Sequence, residues 1–153
     1  MSYTFEIMTQ EQAEEIAFNW HYDGDYSFYD MEADKEDLEG FVNAETRGKY
    51  TYSVTICNEL IGFFSLNKVN DHIFDISLGL RPDFTGKGEG VAFLKSGIEF
   101  VKNNYDPEKL TLSVAAFNQR AIKVYRKVGF KDSGTFAQNT NGGTYEFLKM
   151  EYV

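Results

Sequence analysis

Apolar and polar positions alternate over residues 3–8, Tyr3, Phe5 and Ile7 against Thr4, Glu6 and Met8, which is the two-residue period of a strand with unlike faces. Thr9-Gln10-Glu11-Gln12 then has the capping-box pattern, with Thr9 at the cap and Gln12 reaching back. A helix is therefore predicted through about Trp20, with Ala13, Ile16 and Trp20 on its apolar face. Tyr50–Ile56 and Ile61–Val69 alternate on either side of turn residues Cys57-Asn58-Glu59-Leu60, a hairpin in which Gly62 marks a bulge. After a turn at Asn67–His72, a strand over Ile73–Leu80 sets Phe74, Ile76, Leu78 and Leu80 against Asp75, Ser77 and Gly79. Val91, Leu94, Ile98, Val101 and Tyr105 then recur at three- and four-residue steps, one face of a helix. Leu110, Leu112, Val114 and Ala116 form one face of a strand at 109–116. Asn118 opens a short helix that Gly129 ends, with Phe130 placed for the usual apolar contact. Phe130–Gln138 and Thr144–Tyr152 flank the turn Asn139-Thr140-Asn141-Gly142-Gly143, a final hairpin. This order is α+β or mixed α/β, and 153 residues are most simply one domain spanning 1–153.

Charge narrows the partners. Fifteen basic against 24 acidic residues leave a formal charge of −9, which opposes non-specific nucleic-acid binding and favours a cationic or neutral substrate. Residues 1–9 have neither a basic nor an apolar leader segment, and no apolar run approaches the roughly 18 residues of a membrane span, so a cytoplasmic protein with no membrane partner is expected. Cys57 is the one cysteine, which excludes an internal disulfide, and two scattered histidines with it are too few for a zinc site. No metal is expected.

The glycines of Leu78–Gly90 fall between the third central strand and the long helix. Helical N–H groups without intrahelical partners favour an anion there, and Gly86, Gly88 and Gly90 let phosphate oxygens approach the backbone. The P-loop pattern fails because Gly88 follows Lys87 where Ser or Thr is required. The dinucleotide pattern fails because the spacing is Gly-x-Gly-x-Gly and no clear βαβαβ half is present.

Leu80-Arg81-Pro82-Asp83-Phe84-Thr85-Gly86-Lys87-Gly88-Glu89-Gly90 resembles the pyrophosphate loop of the GNAT N-acetyltransferases, Arg/Gln-x-x-Gly-x-Gly/Ala after a strand, with Thr85 standing where Arg or Gln is usual. Asn118-Gln119-Arg120-Ala121-Ile122-Lys123-Val124-Tyr125-Arg126-Lys127-Val128-Gly129-Phe130 resembles the family's second block, Asn-x-x-Ala-x-x-x-Tyr-x-x-x-Gly-Phe. The resemblance covers roughly residues 73–130. It implies a central, mostly antiparallel twisted sheet, splayed at the cofactor site and flanked by helices, and acetyl-CoA as co-substrate. It places the pantetheine arm beside Leu78, Gly79 and Leu80, and the pyrophosphate at Thr85, Gly86, Lys87, Gly88, Glu89 and Gly90. Asn118 would cap its helix and reach the arm, and Tyr125 would protonate the departing thiolate. The activity implied is direct acetyl transfer to a primary amine on a small molecule, amino acid or peptide, by a chain that also has room to be a homodimer. A non-catalytic acyl-CoA-binding module of the same fold is the alternative.

A carboxylate would help deliver the neutral amine, since an alkylammonium has a pKa near ~10. Asp75, on the polar face of its strand where the family often has an acid, is the first candidate for that base; an exposed strand residue is the plainer reading. Tyr125 is alternatively core of an amphipathic helix, and His21 and His72 read as structural. Residues 21–39 carry eight carboxylates against Lys35, interleaved with aromatics. They form either a solvated loop and second helix or an acidic, aromatic wall for an amine, with Tyr22, Asp23, Asp25 and Tyr26 as its contacts.

Overall fold

The computed structural model describes residues 2–48 and 50–153. Its strands are β1 (Thr4–Ile7), β2 (Thr51–Ile56), β3 (Glu59–Lys68), β4 (Ile73–Leu80), β5 (Lys109–Ala115), β6 (Lys131–Thr140) and β7 (Gly143–Tyr152). Its helices are α1 (Gln10–Asn19), α2 (Lys35–Val42), α3 (Ala44–Arg47), α4 (Gly90–Tyr105) and α5 (Gln119–Val128). Three 3₁₀ turns cover Gly24–Tyr29, Met31–Ala33 and Pro82–Phe84. The strands form one seven-stranded sheet in the order β1-β2-β3-β4-β5-β7-β6, antiparallel at every step except β4 to β5. The expected mixed α/β fold and mostly antiparallel sheet are therefore present.

Local chemistry accounts for the boundaries. Thr9 and Gln12 close the reciprocal capping box of α1. Cys57 and Asn58 turn β2 into β3 with positive φ at both positions, as Asn141 and Gly142 do between β6 and β7, the geometry that suits the twist of two-residue hairpins. The irregularity expected at Gly62 falls beside it: Val54 pairs with Gly62 and Thr55 with Leu60, which leaves Ile61 of β3 unpaired.

Alternation then sorts the faces. Tyr52, Val54, Phe64, Leu66, Phe74 and Ile76 share a buried cluster with Phe93, Leu94, Ile98 and Val101 of α4 and Ile122 of α5. The opposite face is covered near its β1–β3 end by Ala13, Ile16 and Trp20 against Phe63. Gly97 sets how closely α4 lies on the sheet, because a Cβ there would come within 2.2 Å of the Phe64 ring. No helix among the described residues is long and apolar enough to cross a membrane.

Candidate active site

β4 and β5 pair only at Ile73–Asp75 with Lys109–Thr111 and then diverge. Amides of successive strand residues point to opposite sides, so the bond from Arg81 N–H to Ile61 O on β3 turns Leu78 and Leu80 the other way, toward the opening. On β5 the same rule turns Ser113 and Ala115 toward it. Two tyrosines from the 21–39 segment close the far end. Tyr22 Oη donates to Leu80 O at 2.7 Å, and Tyr29 Oη accepts from Ala115 N–H at 3.1 Å. Between those plugs and the paired base, the backbone N–H and C=O of Leu78 and Ser113 face a cleft of about 750 Å³. That volume suits a small-molecule site.

One wall of the cleft is the β4–α4 junction. Pro82–Phe84 make a 3₁₀ turn, Gly86 and Gly88 adopt φ of +72° and +80°, and α4 begins at Gly90 with no side-chain cap. The first N–H groups of α4 therefore remain available to an anion. A Cβ on Gly88 would meet no atom within 4 Å, so open space lies where a ligand would need it. The residues present thus fit a phosphate-bearing cofactor. Thr85 adds nothing by its side chain, because its Oγ1 donates to Pro82 O at 2.7 Å. Arg81 is likewise engaged, by Asp83 at 2.6 Å and Glu59 at 2.8 Å.

The facing wall is the start of α5. Asn118 is buried, and its Oδ1 accepts from Ala121 N–H, capping the helix. Tyr125 lies two turns along. Its C=O takes Phe130 N–H and Gly129 N–H donates to Arg126 O, the Schellman ending that makes Tyr-x-x-x-Gly-Phe a structural unit. The Tyr125 ring packs edge-on to Phe130, so the packing role exists. Its hydroxyl has no protein partner among the described residues, yet no buried side-chain polar atom there is left unsatisfied. The oxygen must therefore open onto the cleft that Tyr125 lines. Burial pushes this phenol well above the ordinary tyrosine range, with Tyr29 adding to the effect.

The 21–39 segment lies across the mouth. Tyr22 and Tyr26 line the cleft, whereas Asp23 and Asp25 are exposed and outside its lining, since the 3₁₀ turn at Gly24–Tyr29 aims them outward. The carboxylates that do line it are Asp30, Glu36 and Asp37. Asp30 is engaged by Tyr22 N–H at 2.8 Å and His21 Nδ1 at 3.3 Å, a structural use of His21. The Asp37 carboxyl is raised above the usual range, first by loss of water around it and then by Asp34 and Glu36. Asp75 corrects the expectation of a base on β4: it lies in the paired part of the strand, accepts from Thr111 Oγ1 at 2.6 Å and does not line the cleft. Among the described residues no cluster of His, Cys, Asp and Glu has metal-site geometry.

Sequence reasoning missed Tyr29, Arg120 and Asp34. Asp34 holds the β6–β7 turn over the cleft, its Oδ2 accepting from Asn141 N–H at 2.9 Å and Thr140 Oγ1 at 3.0 Å. Arg120 stood inside the second block, two residues after Asn118, and that adjacency was a usable signal; the contacts of Tyr29 and Asp34 span 86 and about 107 residues and left none.

The model of the Acetyltransferase (GNAT) family matches residues 6–130. An L-amino acid N-acetyltransferase of Escherichia coli is 30% identical over 82 residues, 54% of this chain and 47% of that protein, so the match spans about half the relative's length. Among solved structures, a GNAT-family acetyltransferase from Bacillus anthracis superposes with a TM-score of 0.79 at 17% identity, covering 100% of this chain and 95% of that one. A spermidine N-acetyltransferase from Vibrio cholerae, solved with CoA and spermine, gives 0.77 at 18% identity over 98% and 94%.

Proposed function

The chain belongs to the GNAT family of acetyltransferases, and from that premise we propose that it transfers the acetyl group of acetyl-CoA directly to a primary amine. The observation that carries this reading is the Tyr125 hydroxyl, without a protein partner, in a cleft whose walls are the splayed strands and the glycine turn. A pure acyl-CoA binder has no use for that hydroxyl. Acetyl-CoA, when bound, supplies the acetyl group activated as a thioester.

The chain's own groups divide the remaining work. N–H groups of the Gly86–Gly90 turn and the α4 start hold phosphate, and Leu78 with Ser113 offers strand-like hydrogen bonds to an extended arm. Leu78 N–H is the donor that meets charge developing on a carbonyl oxygen. Tyr125 Oη, protonated at neutral pH as any phenol with a pKa near ~10 or above is, delivers its proton to the leaving sulfur. Asp37 and Glu36 place negative charge on the acceptor side, where an ammonium must arrive and lose a proton.

The acceptor is an amino acid, a polyamine or a peptide amine, and negative charge at the mouth supports a cationic one. Purified protein with acetyl-CoA and a panel of L-amino acids, spermidine and short peptides should release thiol with at least one amine. CoA binding with no amine-dependent thiol release would leave the acyl-CoA-binding module as the function.

A further inference from the structure

We infer that Arg120 is a phosphate-binding residue that also couples cofactor occupancy to the acceptor wall; the inference rests on the acyltransferase reading above. Arg120 is the second residue of α5 and lines the cleft. A Cβ on Gly86 would lie 3.5 Å from its Nη1, so the guanidinium sits over the positive-φ glycine of the turn. Its Cζ is 4.0 Å from the centroid of the Tyr26 ring, on the acceptor side. The side chain thus spans the gap between the two walls.

The two other arginines near the cleft are already engaged, which leaves Lys87 of the turn and Arg120 as the cations without an ion pair there among the described residues. Arg81 pairs with Glu59 and Asp83, and Arg47 donates to Phe41 O and Gln10 Oε1. Arg120 has no ion pair and no hydrogen bond among the described residues; its contact is with the face of Tyr26. A guanidinium held only by an aromatic ring has its N–H donors unused by any acceptor, free for the bidentate contact that suits phosphate oxygens. Thr85 leaves room for this role, since it replaces the longer side chain expected in the turn and turns its hydroxyl to Pro82 O. The charge that position 85 does not supply comes from α5.

The consequence reaches the acceptor. Tyr26 belongs to the 3₁₀ turn Gly24–Tyr29, whose flanking Tyr22 and terminal Tyr29 close the splayed strands. A phosphate that fixes Arg120 also fixes the ring beneath it, and with it the segment that borders the amine.

The test compares CoA with pantetheine, which lacks the phosphates, on the parent and on Arg120→Gln. Calorimetry should show CoA binding weakened about 10- to 100-fold by the substitution, the size of one charge-assisted contact, and pantetheine binding unchanged. Arg120→Lys should recover part of the CoA affinity, keeping charge without the planar fork. Saturating CoA should slow amide exchange over residues 22–30 in the parent and leave it unslowed in Arg120→Gln. If the parent binds CoA and Arg120→Gln binds it within twofold, or loses pantetheine equally, the phosphate role is overturned. Equal slowing of exchange in both proteins overturns the coupling. A parent that binds no CoA overturns the acyltransferase reading itself.

Discussion

The cofactor wall and the acceptor wall of the same cleft are built by opposite means. Residues 73–130 form theirs from short-range units: a strand running into a glycine turn, an uncapped helix start, a cap at Asn118 and a Schellman ending at Gly129-Phe130. The acceptor wall, residues 21–48 with the β6–β7 turn, has 3₁₀ turns and short helices with no fully buried residue in any of them. It is held by rings at its ends, Phe28 against Phe117, Tyr145 and Phe147 and Phe41 against Phe63, and between them by single polar contacts to distant strands: Tyr22 to Leu80, Tyr29 to Ala115, Asn141 Nδ2 to Phe28 O, and Thr140 and Asn141 to Asp34. A segment with no fully buried residue and many isolated hydrogen bonds opens at lower free energy than one built on core helices and strands.

The sharpest way to break the comparison is to remove chemistry from the cofactor wall without disturbing its packing. Tyr125→Phe keeps the ring against Phe130 and deletes a hydroxyl that has no protein partner, so Tm and CoA affinity should hold while kcat falls about 10²-fold or more. A kcat within about threefold of the parent, where chemistry limits turnover, would return Tyr125 to a packing role. Gly88→Val attacks the same wall through binding. A β-branched residue at φ +80° carries strain on the order of 1–3 kcal/mol and its side chain enters the open space. CoA affinity should therefore fall about ten- to a hundredfold. Normal binding by that variant would put the phosphate cradle elsewhere.

The same contrast explains what was legible in the chain. Alternation placed the strands, and the capping box at Thr9 and the glycine after Val128 placed helix ends, because each is decided within a few residues; the turns expected at 57–60 and 139–143 are there but shorter, two residues each, since pairing extends β3 to Glu59, β6 to Thr140 and β7 to Gly143. The glycine turn and the Asn118–Phe130 block were legible for the same reason. Asp75 was misplaced because strand alternation assigns a face without saying where along β4 the splay begins, and it begins one residue beyond Asp75. A charge run does not reveal that the 3₁₀ turn aims Asp23 and Asp25 outward while α2 carries Glu36 and Asp37 to the cleft, so the sequence points to the first pair and not to the second.

A smaller effect sharpens the comparison on the acceptor side. Asp37→Asn should raise the acceptor KM about three- to fivefold, the range of a partly solvated charge pair, and leave CoA affinity unchanged. Asp23→Asn with Asp25→Asn should change neither, since both are exposed away from the cleft and screened at physiological salt. The reverse ranking would mean that the acceptor approaches over the outer face of the 3₁₀ turn and not through the cleft.

The smallest effect expected concerns the latch between the two pieces of the acceptor wall. The Asp34 carboxyl is held below its ordinary value near 3.8, chiefly by the N–H of Asn141, then by the N–H of Asp37 and the hydroxyl of Thr140. A carboxyl whose folded pKa is depressed favours the latched state above its unlatched value and loses that contribution as pH falls through the folded one. The latch is thus complete at neutral pH and fades below about pH 4. Asp34→Asn should speed amide exchange at Thr140 and Asn141 at pH 6, with little change in global Tm because the contacts are at the surface. Parent and variant should converge only as pH falls through the depressed folded value. Losing the Asp34 charge also removes one of the two like charges raising Asp37, so the Asp37 titration should move down in the variant. Exchange at Thr140 and Asn141 that is equally slow in both proteins at pH 6 would mean that Asn141 Nδ2 on Phe28 O holds the turn alone, and the acceptor wall would then have no carboxylate latch.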